Sequence, residues 1–341
     1  MTSAITILGG GAMGTACACV LADRSDLDVR LWVRNPVFAS HMSETRENSR
    51  LLPGVRISPN VQITADAARA LSDAEVVVLC VPTKGIRDAL AGLAPHISRQ
   101  ALMVSAVKGI ENDTLIRPSQ MIQQLLGERS VVAFGGPCHA EEVARARPAT
   151  VVAAADQLDD ADYVQQIFSN HHLRVYSNDD LKGVEYAGAL KNVIAIAAGI
   201  GDGLEYGDNA KSALITRGLT EMVRFGQHLG CNPETFYGLA GIGDLVATCG
   251  SQHSRNRRVG ELLGRGYSLD QIENEMSAVA EGVLTARSIF AIAEQNQIDM
   301  PIATAVYEVL FQGKAPRTAT LELMQRPLKR EESVSDAPSS S

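Results

Sequence analysis

Short apolar runs alternate with helical patterns through the first half of the chain. The runs with strand character are Ile5–Leu8, Val29–Val33, Val76–Val81, Ala101–Ser105, Val131–Phe134 and Thr150–Ala153. Each run is followed by turn-forming residues, and this alternation is typical of repeated βαβ units. We therefore predict an α/β fold in which residues 1–178 form a Rossmann-like domain with a mainly parallel sheet.

The pattern changes to long helical stretches from about Asn178 onward. The first stretch, Leu181–Ile200, interleaves Ala and Gly with larger apolar residues, which predicts a helix packed closely on its neighbours. We predict an all-helical second domain over residues 179–328. Residues 329–341 are polar and have the composition of a flexible tail.

Length and composition fit a two-domain globular protein. The chain has 341 residues, of which 45% are hydrophobic and 21% charged, and its net charge is −8. Such a charge repels nucleic acid and anionic membrane surfaces. No apolar stretch reaches 18 residues, and the N-terminus lacks the pattern of a signal peptide. We expect a cytoplasmic protein without membrane insertion; its oligomeric state stays open, with a homodimer among the alternatives.

The cysteines and histidines do not form a metal-binding pattern. The six cysteines contain no C-x-x-C pair and lie mostly in apolar segments, so reduced core thiols are favoured over disulfides or a zinc site. The histidines have no metal-ligand spacing. We predict no metal site.

A glycine motif follows the first predicted strand and opens the first helix. Gly9, Gly11 and Gly14 have the spacing that permits a tight turn, lets a pyrophosphate approach the backbone and packs helix on strand. The helix N-terminus adds free N–H groups and a partial positive charge. This context favours a dinucleotide site over a glycine-rich turn without a ligand.

The residue about 20 positions beyond the last glycine discriminates between dinucleotides. Here it is Arg34, which cannot accept hydrogen bonds from a ribose 2′-hydroxyl but can pair with a 2′-phosphate. Asp28 is the best acidic competitor, but it precedes the end of its strand. We predict NADPH as the preferred cofactor and keep NADH as the alternative; a solvated loop charge is the other interpretation of Arg34.

Two lysines have unusual surroundings. Lys108 follows a predicted strand and would emerge at the carboxyl edge of the sheet, where open α/β folds bind ligands. Lys191 lies in a nearly apolar helix, where an unpaired ammonium is costly to bury. Asp244, in a glycine-rich apolar segment, could pair with Lys191; such a pair could be catalytic or only structural.

The run Ser254–Arg258 gathers hydroxyl, amide and guanidinium groups just before a predicted amphipathic helix. Donors collected at a helix start favour an anion site. A solvated basic face is the alternative interpretation.

Together these segments resemble the bacterial NAD(P)H-dependent glycerol-3-phosphate dehydrogenases, over about Ile5 to Leu323. The matching blocks are Gly9–Thr15, Leu31–Arg34, Lys108–Ile110, Gly135–Val143, Gly188–Val193, Thr216–Met222, Gly241–Leu245, Ser254–Arg258 and Glu281–Val283. The resemblance implies reduction of dihydroxyacetone phosphate to sn-glycerol 3-phosphate, which supplies phospholipid synthesis.

The resemblance also implies roles for individual residues. Lys191 would be the proton donor and acceptor, with Lys108 and Asp244 completing the catalytic group. The implied substrate-binding residues are Lys108, Gly136, Cys138, Lys191, Asp244, Ser254, Arg255 and Asn256. Besides the glycines, the implied dinucleotide contacts are Ala12, Met13, Arg34, Lys108, Ala140, Arg255, Val279 and Glu281.

Two residues depart from the family pattern. Met13 stands where the family often has an aromatic residue, so a flexible thioether replaces a ring near the cofactor. Cys138 stands where relatives often have Ser or Thr, so a weaker thiol contact replaces a hydroxyl hydrogen bond. We expect cofactor binding to survive the first change.

Two other functions would share some of these sequence features. A β-hydroxyacid dehydrogenase often has Asn one turn after the helix Lys, but this chain has Ala195 there, and Asn192 faces about 100° away. A regulatory protein that binds the dinucleotide without turnover would not need Lys108, Lys191 and Asp244 together.

Overall fold

The computed structural model describes residues 3–276, 280–328 and 330–331. The chain divides into two compact units. Unit 1 comprises the residues up to Lys108 together with Ile116–Glu185, and unit 2 comprises Gly109–Leu115 together with the chain from Tyr186 onward. The predicted tail, residues 329–341, lies outside the described residues except for Arg330 and Glu331.

Unit 1 alternates strands and helices. Its strands are β1 (Ser3–Leu8), β2 (Leu27–Trp32), β3 (Glu47–Asn48), β4 (Leu52–Arg56), β5 (Val61–Thr64), β6 (Val76–Leu79), β7 (Leu102–Ser105), β8 (Val131–Gly135), β9 (Ala149–Ala154) and β10 (Leu173–Asn178). Its helices are α1 (Ala12–Leu21), α2 (Pro36–Thr45), α3 (Ala67–Leu71), α4 (Ile86–Leu93), α5 (Pro118–Leu126), α6 (Ala140–Val143) and α7 (Leu158–Phe168).

The main sheet has eight strands in the order β10-β9-β8-β7-β6-β1-β2-β5. Neighbouring strands are parallel except β8 and β9, which pair antiparallel. The carboxyl ends of β1, β2, β6, β7 and β8 therefore share one edge of the sheet. Strand β1 lies between β2 and β6, so the order in which the chain adds strands reverses its direction at β1. This is the place where open α/β sheets bind ligands. The predicted mainly parallel sheet is confirmed.

Alternate residues of the central strands enter separate cores on the two faces of the sheet. Ile5, Ile7 and Val78 belong to one cluster, whereas Leu8 and Leu79 belong to the other. All five side chains are fully buried. Burial on both faces explains why these strands are nearly continuous apolar runs.

Unit 2 is helical, as predicted. Helix α8 (Leu181–Gly203) starts in unit 1 and continues through unit 2. The others are α9 (Gly207–His228), α10 (Pro233–Tyr237), α11 (Asp244–Gly250), α12 (Arg255–Gly264), α13 (Leu269–Glu275), α14 (Glu281–Gln295), α15 (Pro301–Phe311) and α16 (Pro316–Met324). Of the helices that the structure describes, none combines the length and apolar character needed to cross a membrane.

Glycines bring α8 and α12 into close contact. A Cβ at Gly199 would lie 1.9 Å from the Arg257 carbonyl oxygen, and one at Gly260 would lie 1.9 Å from the Ile196 carbonyl oxygen. Neither position tolerates a side chain without separating the helices. The close packing predicted from the Ala and Gly pattern of α8 is confirmed.

Candidate active site

The glycine loop has the geometry that its spacing predicts. Gly9 has φ +119°, a conformation that favours glycine. A Cβ at Gly14 would lie 1.9 Å from the Gly9 carbonyl oxygen, so this glycine allows helix α1 to pack on the turn. A Cβ at Gly11 would meet no atom within 4 Å, which leaves the backbone open to a ligand. No side chain caps the N-terminus of α1 at Gly11.

Two polar residues, Asn48 and Thr15, hold this loop in place, and Asn48 is not among the residues predicted from the sequence. Asn48 is fully buried, and its Nδ2 donates to the Gly10 carbonyl oxygen at 3.1 Å and to Thr15 Oγ1 at 2.8 Å. Thr15 Oγ1 donates to the Gly11 carbonyl oxygen at 2.9 Å. These hydrogen bonds fix the Gly10 and Gly11 carbonyl groups of the loop.

Arg34 lies just beyond the end of β2, on the edge that carries the glycine loop. Its side chain is exposed. The acidic competitor, Asp28, lies within β2, where it is paired with Arg30 at 2.5 Å and accepts a hydrogen bond from Gln62 Nε2 at 2.8 Å. The Asp28 carboxylate is therefore already bound by Arg30 and Gln62, and it lies away from the carboxyl end of β2.

Lys108 meets two other predicted site residues of unit 1. Its Nζ donates to the Gly136 carbonyl oxygen at 2.9 Å and contacts Cys138 Sγ at 3.5 Å, while Cys138 Sγ donates to the same carbonyl at 3.1 Å. Gly136 has φ +107°, and a Cβ there would lie 3.1 Å from Val151 Cα. Ala140 follows as the first residue of α6 and is buried. The loops after β7 and β8 thus form one polar cluster at the sheet edge.

The predicted Lys191–Asp244 pair is present in unit 2. Lys191 Nζ donates to Asp244 Oδ1 at 2.9 Å and to Thr248 Oγ1 at 2.7 Å, and Thr248 Oγ1 donates to Asp244 Oδ1 at 3.2 Å. The three residues are between 2% and 5% exposed. A buried ammonium is therefore compensated by charge and by a hydroxyl. Thr248 is not among the residues predicted from the sequence, although its place one turn after Asp244 on a helix was a usable signal.

A tight glycine turn places Asp244 at the start of α11. Residues Leu239–Gly243 form a single π-helical turn that leads directly into the helix. A Cβ at Gly241 would lie 1.9 Å from the Phe236 carbonyl oxygen. The carboxylate stands in the first turn of α11, where the helix dipole favours negative charge. The glycines of this block thus serve close packing that points Asp244 inward.

The residues of the run Ser254–Arg258 have different roles. Buried Ser254 is the N-cap of α12, and its Oγ accepts from the Arg257 backbone N–H at 3.2 Å. Arg257 pairs with Asp202 at 2.8 Å, and Arg258 pairs with Glu261 at 3.1 Å. Arg255 is exposed. The helix start predicted for this run is confirmed, and two of its three guanidinium groups are held in ion pairs.

Asn256 connects three helices of unit 2. Its Nδ2 donates to Asn192 Oδ1 of α8 at 2.9 Å, and its Oδ1 accepts from the Gly282 backbone N–H of α14 at 2.9 Å. A Cβ at Gly282 would lie 2.7 Å from Asn256 Oδ1. Half-buried Glu281 is the first residue of α14, whereas Val279 lies outside the described residues.

These features define a class of protein. Unit 1 presents a dinucleotide-type glycine loop and a lysine at the carboxyl edge of a parallel sheet, and unit 2 presents a buried lysine held by a carboxylate. In the part of the chain that the structure describes, no group of three or more His, Cys, Asp or Glu could hold a metal ion. The fold and these groups are those of a dinucleotide-dependent dehydrogenase with a helical second domain.

Comparisons with known proteins identify the family. The model of the NAD-dependent glycerol-3-phosphate dehydrogenase N-terminus matches residues 4–161, and that of the C-terminus matches residues 180–321. A glycerol-3-phosphate dehydrogenase [NAD(P)+] of Geobacillus kaustophilus is 48% identical over 96% of both chains, and one of Bacillus licheniformis is 47% identical over 94% of both. The crystal structure of glycerol-3-phosphate dehydrogenase from Coxiella burnetii has a TM-score of 0.91 and 34% identity, and covers 95% of this chain and 99% of its own.

The chain belongs to the NAD-dependent glycerol-3-phosphate dehydrogenase family. The predicted family, fold class, enzyme class and NAD(P) dependence are confirmed.

Proposed function

We propose that this protein reduces dihydroxyacetone phosphate to sn-glycerol 3-phosphate, with NADPH preferred over NADH. The observation that carries the proposal is the buried Lys191, held at 2.9 Å by Asp244 and at 2.7 Å by Thr248. Reduction of a ketone places negative charge on its oxygen, and a fixed ammonium both stabilises that charge and supplies the proton. A purely structural pair would gain little in stability over an apolar replacement.

The groups at the sheet edge of unit 1 fit a dinucleotide. Gly11 leaves the loop backbone open, and α1 begins without a side-chain cap, so its first N–H groups suit a pyrophosphate. We assign the cofactor to Gly9, Gly11, Ala12, Met13, Gly14, Arg34, Lys108, Ala140, Arg255, Val279 and Glu281. When bound, the dinucleotide supplies the hydride.

The preference for NADPH rests on Arg34. Its exposed guanidinium follows the strand β2 and can pair with a 2′-phosphate, whereas Asp28 is already bound by Arg30 and Gln62. A carboxylate at the strand end would instead accept hydrogen bonds from the 2′-hydroxyl of NADH.

The substrate is assigned to two groups of residues. Lys108, Gly136 and Cys138 would orient the carbonyl end, with the Lys108 ammonium polarising the oxygen. Ser254, Arg255 and Asn256 would bind the phosphate, because the start of α12 offers a hydroxyl, a guanidinium and an amide. Binding energy from the phosphate then orients the distant carbonyl for reaction.

Lys191 would act as the general acid. Asp244 and Thr248 hold its ammonium in one place, so the proton is positioned before the reaction begins. The same nitrogen would accept the proton in the reverse direction. The β-hydroxyacid dehydrogenase alternative is weakened because Asn192 faces Asn256, to which it is bonded at 2.9 Å.

The test is oxidation of NADPH on addition of dihydroxyacetone phosphate, followed by absorbance, with chiral identification of the product. The proposal predicts stoichiometric formation of sn-glycerol 3-phosphate. A folded protein that binds NADPH without oxidising it would support the regulatory alternative and refute the proposal.

We also propose that the enzyme acts in the cytoplasm and supplies the glycerol backbone of phospholipids. The net charge of −8 and the chemistry of the product support this assignment. Depletion of the protein in its host should lower phospholipid synthesis, and supplied glycerol 3-phosphate should restore it. Failure of that rescue would contradict the metabolic role while leaving the activity intact.

A further inference from the structure

The segment that follows Lys108 belongs to a different unit from Lys108 itself. Lys108 ends the first part of unit 1, and the next residues, Gly109–Leu115, belong to unit 2. Ile110 is only 2% exposed, and the Leu115 backbone N–H donates to the Glu111 carbonyl oxygen at 3.0 Å. The segment is therefore a hydrogen-bonded turn in which Ile110 is buried.

Ser288 of α14 binds this segment from within unit 2. Its side chain is fully buried. Its Oγ lies 2.6 Å from Asn112 Oδ1, 3.2 Å from the Ile110 carbonyl oxygen and 3.4 Å from the Glu111 carbonyl oxygen. A hydroxyl has one proton to donate, so Asn112 Oδ1, at 2.6 Å, is the main acceptor, and the Ile110 and Glu111 carbonyl oxygens can only share that proton. Removing the hydroxyl would leave this partly buried amide oxygen without its donor, which costs more than the loss of an exposed hydrogen bond.

The same helix holds other parts of the proposed site. At its start, Glu281 is assigned to the cofactor, and the Gly282 N–H donates to Asn256 at 2.9 Å. Two turns later, Ser288 fixes the turn after Lys108. Helix α14 therefore gives these groups a common rigid support, as expected for precisely held reacting groups.

We propose that Ser288 is a positioning residue that fixes the backbone after Lys108 and so aims the Lys108 ammonium at the substrate. This inference rests on the proposed function. The long Lys108 side chain has several rotatable bonds, so its Nζ position depends on a fixed backbone as well as on its 2.9 Å bond to Gly136. Misplacement of a catalytic group by about 1 Å can cost about 100-fold in rate.

The test is a double-mutant cycle on kcat/KM for dihydroxyacetone phosphate. Four proteins are compared: wild type, Ser288→Ala, Lys108→Ala and the double variant, with enzyme in excess so that slow variants remain measurable. We expect Ser288→Ala to lower kcat/KM about tenfold in the wild-type background and less than about twofold when Lys108 is absent. A structural role alone would give the same factor in both backgrounds.

Thr285→Val is the matched control. Thr285 is a buried hydroxyl one turn earlier on α14 that donates to the Glu281 carbonyl oxygen of its own helix at 2.8 Å. We expect kcat/KM to stay within about twofold of wild type, since this bond lies within one helix. If Ser288→Ala does not fold, Asn112→Ala replaces it in the same cycle. Asn112 is the nearest hydrogen-bond partner of Ser288 and is only half-buried.

The outcomes separate this inference from the proposed function. A wild-type protein without ketone-dependent NADPH oxidation contradicts the proposed function. An active wild type in which Ser288→Ala changes nothing, or lowers kcat/KM equally in both backgrounds, contradicts only the role of Ser288.

Discussion

The carboxyl group of Glu221 caps a helix from inside unit 2. Glu221 lies on α9 and is 3% exposed; its Oε1 accepts from the Ile302 N–H at 2.6 Å and its Oε2 from the Ala303 N–H at 3.2 Å. These are the second and third residues of α15, whose N-cap, Met300, offers no polar side chain. Glu221 therefore supplies the cap that the local sequence lacks.

The charge on this carboxyl has an energetic cost. Burial raises the pKa of Glu221 from its ordinary value of 4.5 to about 7, although the two N–H groups and Arg224 oppose the rise; Asp299 adds to it. Because the folded-state pKa is raised, the stabilising contribution is fully present below 4.5 and is lost as pH rises through about 7. Linkage gives a loss of about 2 to 3 kcal/mol between about pH 5 and about pH 8.

The assay is urea unfolding of wild type and Glu221→Gln at several pH values. Gln keeps an acceptor oxygen but does not titrate, so we expect the free energy of unfolding of wild type minus that of the variant to fall by about 2 to 3 kcal/mol over that pH range. Glu294→Gln, the same substitution at an exposed position, is the matched control. A pH-independent difference for Glu221→Gln would refute the reasoning that burial dominates at this site.

Three further predictions concern the cofactor and the catalytic pair. Gly14→Ala places a Cβ 1.9 Å from the Gly9 carbonyl oxygen, so calorimetric titration should show NADPH affinity at least about tenfold weaker; unchanged affinity would contradict the assigned loop. Arg34→Asp should raise KM for NADPH more than for NADH, and equal losses would contradict the 2′-phosphate contact. Asp244→Asn leaves Lys191 buried without its counter-charge, so the free energy of unfolding should fall by about 3 to 5 kcal/mol and turnover should also fall. Near-normal stability and turnover would refute the pairing.

The central strands and the glycine loop were predictable because their signals are local. Strands buried on both faces form continuous apolar runs, which locate β1, β6 and β7 directly. β10 was missed because it is a half-buried edge strand: Leu173 and Val175 point inward, while Arg174 and Tyr176 are exposed. The strand run predicted to Val81 ends at Leu79, where the chain turns toward Pro82. The antiparallel step between β8 and β9 depends on long-range pairing that no local pattern encodes.

Site residues could be predicted where a charged side chain lies in an otherwise apolar segment. A lysine in an apolar helix and an aspartate among glycines each require a partner, and the structure joins Lys191 to Asp244. Asn48 gave no such signal, because a single amide is ordinary in a polar segment, and Thr248 gave only the weaker signal of its place one turn after Asp244. Folding brings the Asn48 amide against the Gly10 carbonyl group and the Thr248 hydroxyl against Lys191.

The turnover of Lys191→Ala tests the central claim most directly. If the Lys191 ammonium protonates the substrate oxygen, removing it should lower kcat for ketone-dependent NADPH oxidation by about 10³-fold while NADPH binding, measured by calorimetry, stays near that of wild type. Near-normal turnover with intact cofactor binding would contradict the assignment of Lys191 as the proton donor.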